Sequence, residues 1–220
     1  MKAFVAGATG RTGHHIVQQL HAQGVEVVAL VRDRTKAQTL LPEGVKLIVG
    51  DVLTPATWET ALNGCEVVFC ATGATPSWDF TGPYKVDYEG TKLLVDRTKE
   101  EGINRFVLIS SLCVSQFFHP LNLFWLVLFW KQQAEKYLQA SGLNYTIVRP
   151  GGLLSEDNSD RLVLQSADTL FEGRIPRVKV AQIAIAALEH DATQNQIIET
   201  IATPDAPEQS WAERFGAVAG

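Results

Sequence analysis

The chain predicts an α/β domain in which helices cover both faces of a doubly wound, mainly parallel sheet of about seven strands. Three observations carry this expectation. Short, continuous apolar runs alternate with longer segments of helical periodicity, and such runs need cover on both faces of each strand. A glycine-rich turn, Gly7-Ala8-Thr9-Gly10-Arg11-Thr12-Gly13, joins the first run to the first amphipathic segment. A length of 220 residues, 46% of them hydrophobic, suits one compact core, so residues 1–220 read as a single domain.

The elements follow in order. Residues 2–6 form a strand that ends at glycine. In 11–23, Ile16, Val17 and Leu20 recur at helical spacing, and Gly24 stops the helix. Strands follow at 25–31 and 45–49, then a short helix at 55–62 that opens with proline. Residues 66–71 are a strand, 82–101 a helix stopped by Gly102, 105–110 a strand, and 123–141 a long helix stopped by Gly142. Beyond the strand at 145–148 come a helix at 178–190, a strand at 196–201 and a terminal helix at 210–215. Right-handed crossovers between parallel strands put ligands at the carboxyl ends of the strands. The irregular stretches 72–83, 112–122 and 151–177 all follow strands and so fall on that side.

Composition narrows the function. The formal net charge is −5 with 19 Lys and Arg residues, so no basic surface is implied and nucleic acid is not an expected partner. Cys65, Cys70 and Cys113 stand at irregular spacing without a CxxC or a metal-ligand pattern. They read as reduced thiols in a reducing, cytoplasmic compartment, and no metal is expected. Met1-Lys2 runs directly into the first strand, which leaves no targeting segment. The apolar run 123–130 is far shorter than the roughly 20 residues of a membrane helix. No transmembrane segment is expected, and peripheral contact with a membrane stays open. So does the choice between monomer and homodimer.

Gly7 and Gly10 permit a tight turn and let backbone N–H groups approach a pyrophosphate. Gly13 permits close helix–strand packing, and the helix that follows offers partial positive charge. Strand, glycine turn and helix in this order predict a dinucleotide cradle made by Gly7, Thr9, Gly10, Arg11, Thr12 and Gly13. The alternative is a glycine turn that only packs. The second strand ends in Val31-Arg32-Asp33, with Arg32 where an NAD site usually has a carboxylate. A guanidinium there suits a 2′-phosphate, which favours NADP(H). In the competing reading Arg32 is a solvated charge and Asp33 serves the ribose. Asp51 and Val52, after the third strand, are placed to contact adenine, unless Asp51 is a turn or capping residue.

With these motifs, Gly50-Asp51-Val52, Ala71-Thr72-Gly73, Val86-Asp87-Tyr88-Glu89-Gly90-Thr91, Ile109-Ser110-Ser111, Lys131 before Ala134-Glu135, and the run from Ser141 to Gly151 that holds Arg149-Pro150, the sequence resembles the atypical short-chain dehydrogenase/reductases over nearly its whole length. It is similar to small single-domain members, namely the biliverdin reductase B/flavin reductase group and NAD(P)H-binding proteins of chloroplasts and cyanobacteria. The resemblance implies a Rossmann domain. It sets Ala71, Thr72 and Gly73 along the cofactor's ribose and pyrophosphate, and Ser110 and Ser111 beside the nicotinamide. It also sets Lys131 on the nicotinamide ribose and Pro150, Gly151, Gly152 and Leu153 on the carboxamide side. Ser111 and Lys131 are then the catalytic candidates. From the residues alone, the serines equally suit a strand-end turn and Lys131 a solvated helix charge. Peripheral association of the thylakoid type is compatible with the resemblance.

The pattern breaks at one place. The family's general acid is a Tyr four residues before the Lys, and here that residue is Val127, which has no proton to give. Tyr88 and Lys92 repeat the spacing, but on the helix before the fifth strand, and are read as coincidence. A missing acid leaves two options. One is NADPH-dependent hydride transfer to a planar conjugated acceptor, a bilin or a flavin, with the proton from solvent or substrate. The other is a non-catalytic NADPH-binding protein of assembly or regulation. A nucleoside-diphosphate-sugar epimerase or dehydratase fits poorly, since it would want the Tyr and a larger C-terminal substrate region. Phe117, Phe118, Phe124, Trp125, Phe129 and Trp130 crowd the approach to Lys131. They read as a core helix, a wall for a flat substrate, or a membrane or partner contact. Trp78, Phe118, His119 and Arg174 are the substrate-side candidates, each with a packing or surface-charge alternative.

Overall fold

The computed structural model describes residues 1–74 and 79–218. Its strands are β1 (Lys2–Ala6), β2 (Glu26–Val31), β3 (Lys46–Val49), β4 (Val67–Cys70), β5 (Arg105–Ile109), β6 (Asn144–Pro150), β7 (Gly152–Leu154), β8 (Arg161–Gln165), β9 (Arg174–Pro176) and β10 (Gln196–Thr203). All belong to one sheet of order β3-β2-β1-β4-β5-β6-β10-β9-β7, with β8 also paired to β10. The pairings from β3 across to β6 and on to β10 are parallel, and β8 and β9 meet β10 antiparallel. The helices are α1 (Gly13–Ala22), α2 (Arg34–Leu40), α3 (Gly90–Glu100), α4 (Val127–Ala140), α5 (Arg177–Ala186) and α6 (Trp211–Gly216).

Strand alternation builds two cores. Ala3 and Val5 of β1 face the layer that holds Ile16, Val17 and Leu20 of α1, Ala37 of α2, the apolar face of α5 and Phe215 of α6. Phe4 and Ala6 face the other layer, with Trp58, Leu94 and Val95 of α3 and Leu138 of α4. Helices therefore cover both faces, and the continuous apolar strands are explained. The strand order reverses between β1 and β4, so the loops after these two strands part there and leave a crevice.

Several sequence expectations need correction. Among the described residues the sheet has ten strands and not about seven, because the stretch 151–177 contains β7, β8 and β9. These strands are three to five residues long, too short to stand out among turn residues. Residues 34–40 form α2, capped by Asp33, whose Oδ1 accepts from the Lys36 amide at 3.0 Å. Residues 55–62 make two 3-10 turns in place of a helix. The helix expected at 82–101 begins as a π-helical turn, Tyr84–Glu89, before α3. The one expected at 123–141 is broken: a 3-10 turn, Pro120–Leu123, precedes Trp125 and Leu126, both at φ 57°, and α4 starts only at Val127.

The aromatic segment is not a core helix. Phe118 is 95% exposed and Leu123 81%, and Phe117, Leu121 and Phe124 are exposed as well. One buried side chain organises it. Asn122 donates to the Phe117 carbonyl at 2.8 Å and accepts from the amides of Leu128 (2.9 Å) and Phe129 (3.1 Å), so it serves as a cap for α4.

Candidate functional site

The glycine turn is fixed by backbone contact. Gly7 has φ +80°, and a Cβ there would lie 2.6 Å from the Ala71 carbonyl group. A Cβ on Gly13 would lie 2.1 Å from the Gly7 oxygen. The Gly10 amide donates to that same oxygen at 2.8 Å. Only glycine fits at 7 and 13, and the result is the first turn of α1 pressed against the end of β1. Thr12 stands at the N-cap without a side-chain cap bond. Thr9 is half-buried and Arg11 exposed on the rim. The cradle suits a pyrophosphate: close backbone approach, with the positive end of a ten-residue helix behind it.

Arg32 is exposed at the carboxyl end of β2, and its neighbour Val31 accepts from the Gly50 amide at 2.9 Å. Asp33 is occupied as the α2 cap, which weakens its alternative role at the ribose. Asp51 folds onto the Leu53 amide at 2.9 Å, so its carboxylate makes a turn. Val52 is buried in the second core, against Gly90. For Asp51 this is the turn role set against the adenine contact in the sequence reading.

On the other side of the crevice, Thr72, Asp87, Thr91, Ser110, Lys131 and Ala134 line a narrow cleft with Leu108 and Ile109. The Lys131 ammonium lies 2.7 Å from Asp87 Oδ1, with the side chains 18% and 1% exposed. Lys131 is therefore not a solvated helix charge. Burial pulls its pKa down, but the Asp87 carboxylate more than offsets this and the pKa is raised. Ser110 Oγ is buried with no hydrogen-bond partner, an orphaned polar atom on the cleft wall. Ser111 follows, half-buried. The Ser110 amide donates to Val148 and the Leu112 amide to Pro150, which draws 110–112 beside 148–150. Gly151 packs tightly, since a Cβ there would lie 2.6 Å from the Gly173 oxygen, while Gly152 and Leu153 are exposed at the start of β7. Ala71 bonds through its amide to Ala6, and Gly73 lies exposed beside Thr72.

Among the described residues, the substrate-side candidates Phe118, His119 and Arg174 do not line this cleft. His119 Nδ1 accepts from the Leu121 amide at 3.2 Å and so caps a 3-10 turn. Phe118 projects into solvent, and Arg174 is exposed on β9. Trp78 lies outside the described residues. Lys92 bonds Asp96 at 2.9 Å, while the Tyr88 ring packs near Trp130, so their spacing does not make a Tyr–Lys pair. Val127, at the position that corresponds to the Tyr acid, is half-buried and packs against the cluster of Leu112, Cys113, Val114 and Leu128. A roomier hollow lined by Arg34, Leu41, Gly44 and Leu47 lies where α2 returns to β3, at the amino end of the sheet and away from the cleft.

One site residue was not singled out from sequence, Asp87. Its signal was a carboxylate inside a helical stretch at a position that proves buried. A single charge in an amphipathic pattern does not announce that it faces inward.

Comparison with known proteins agrees with this geometry. A family model described as NAD(P)H-binding matches residues 7–191. A chloroplastic protein of Arabidopsis thaliana is 41% identical, over 100% of this chain and 83% of its own length. Protein TIC 62 of Pisum sativum is 37% identical over 93% of this chain, which spans only 43% of that relative. Sanguinarine reductase of Eschscholzia californica is 28% identical, over 93% of this chain and 90% of its own. Among solved structures, a Bacillus halodurans protein of the NAD-dependent epimerase/dehydratase type superposes with TM-score 0.84 at 25% identity, covering 92% of this chain and 94% of that one. ChuY, an anaerobilin reductase of Escherichia coli O157:H7, shares the fold with TM-score 0.75 at 24% identity, over 95% and 100% of the two chains. With a glycine cradle at the switch point and a family match over most of its length, the chain belongs to the NAD(P)H-binding family of Rossmann-fold proteins.

Proposed function

We propose that the protein is an NADPH-dependent reductase of a planar conjugated acceptor, with bilins and flavins as the named candidates. The carrying observation is the cleft itself: Lys131 is held beside an unpartnered Ser110 hydroxyl, while the residue one turn before the lysine is a valine packed into the protein. The bound cofactor supplies a hydride. In this reading Gly7, Thr9, Gly10, Arg11, Thr12 and Gly13 hold the pyrophosphate, and Arg32 binds the 2′-phosphate with a planar guanidinium. Asp51 and Val52 border the adenine. Ala71, Thr72, Gly73 and Lys131 hold the ribose, and Ser110, Ser111 and 150–153 frame the nicotinamide. With no Tyr acid, the chain's residues orient and exclude water, and an extended π-system spreads the incoming charge until solvent supplies the proton. The names of sanguinarine reductase and of the anaerobilin reductase ChuY support a reductase of this kind.

A second reading, a non-catalytic NADPH-binding protein of assembly or regulation, is favoured by the exposed apolar surface of 117–126 and by the similarity to TIC 62. That exposed apolar surface also supports peripheral association with a membrane; no helix among the described residues is long and apolar enough to cross one. The three free, buried cysteines suit a reducing compartment, cytoplasmic or plastid. NADPH oxidation in the presence of biliverdin, FMN or a quinone separates the readings. Turnover with any of them is expected of the reductase. Tight NADPH binding with no turnover belongs to the second reading.

A further inference from the structure

Asp87 has no place in the fold's apolar packing, yet it is among the most buried charged residues of the chain. It is the buried residue of the π-helical turn that precedes α3, and such turns are frequent at functional sites. Its two oxygens are divided. Oδ1 holds the Lys131 ammonium at 2.7 Å, and Oδ2 accepts from the Ala74 amide at 3.2 Å. One carboxylate thus ties a helix on one wall of the cleft to the segment that leaves β4 on the other.

We propose that Asp87 is a positioning residue for the ribose end of the cofactor, holding Lys131 and the 72–74 segment in one fixed arrangement so that both meet the ligand together. This rests on the reading of Lys131 and of Thr72 and Gly73, which lead into Ala74, as cofactor contacts. A buried charge is tolerated only when paired, and taking away one partner strands the other. The groups that face Lys131 are Asp87 on the π turn, Cys70 on β4 and Glu135 on its own helix. Glu135 is engaged by Arg149 at 2.7 Å, and the Cys70 thiol lies against Thr72 and Thr91, which leaves Asp87 as the counter-ion. Without it, the lysine loses its main counter-charge, and burial, the largest influence on it, lowers its proton affinity.

The test is NADPH binding by fluorescence titration of the full chain, from about pH 6 to 9.5. Asp87→Asn keeps the size and an acceptor for Ala74 but removes the charge. It is expected to bind about tenfold more weakly at neutral pH. It should weaken further as pH rises and Lys131 loses its proton, while the wild-type profile stays flat. Lys131→Met is expected to be weak at every pH. In that background Asp87→Asn should change the affinity less than about twofold, because the residue acts through the lysine. Wild-type affinity and a flat profile for Asp87→Asn would overturn the positioning role, and so would equal losses in the two backgrounds. Should Asp87→Asn alone fail to fold, the doubly substituted chain carries neither charge, and its comparison with Lys131→Met decides. Full NADPH affinity in Lys131→Met would instead remove the lysine's cofactor role, a different and recognisable failure.

Discussion

Two loops at the carboxyl edge of the sheet, 7–13 and 112–126, are built in opposite ways. The first is locked by backbone against backbone: a Cβ on Gly13 would come within 2.1 Å of the Gly7 oxygen. The second hangs on the Asn122 side chain and turns Phe118, Leu123 and Phe124 outward. The first has the rigidity that a preorganised ligand cradle needs. The second spends apolar residues on water-facing positions, which a monomer's stability does not require. The contrast separates a loop fixed by close backbone packing from one defined by exposed apolar side chains.

The sharpest way to break the comparison is at Gly13. Gly13→Ala should cost about 3 kcal/mol of stability in urea unfolding, because the obstacle is backbone and cannot swing aside. NADPH binding should be lost with it. Next comes Arg32→Ala, which removes the bidentate donor proposed for the 2′-phosphate. It should weaken NADPH by about 10- to 100-fold and leave NADH nearly unchanged, as read by paired titrations. Equal weakening of both would return the site to the Asp33 reading. Asn122→Ala should cost about 1–2 kcal/mol, since it strips the α4 cap and leaves buried amides unpaired. NADPH affinity should stay within about twofold if the aromatic loop is independent of the cradle. The smallest effect is expected at Phe118→Ser, within about 0.5 kcal/mol in thermal unfolding, because nearly all of that ring already faces water. A large loss there would mean the ring packs on something.

The cradle was legible because glycine at 7, 10 and 13 has a steric reason that spacing alone reveals, and the apolar strands on either side point to a covered sheet. Lys131 was legible through resemblance, but its counter-ion was not. Asp87 stands four residues before Thr91 and seven before Leu94, in line with the buried face of α3, but a carboxylate at such a position does not by itself announce that it is buried. For the aromatic segment only the core-helix reading fails. Its residues are apolar at nearly every helical position, which suits burial, yet Trp125 and Leu126 adopt left-handed backbone, so α4 starts only after them, and Phe117, Phe118, Leu121, Leu123 and Phe124 are exposed. Strands β7, β8 and β9 escaped because a hydrogen-bond partner across the sheet, and not local propensity, makes them strands.

Calorimetric titration of NADPH and of NADH into the full chain tests the central claim most directly. Expected is one site per chain with clear heat from NADPH, weaker binding of NADH, and neither response in Gly13→Ala. No heat from either nucleotide in the folded wild-type protein would contradict it.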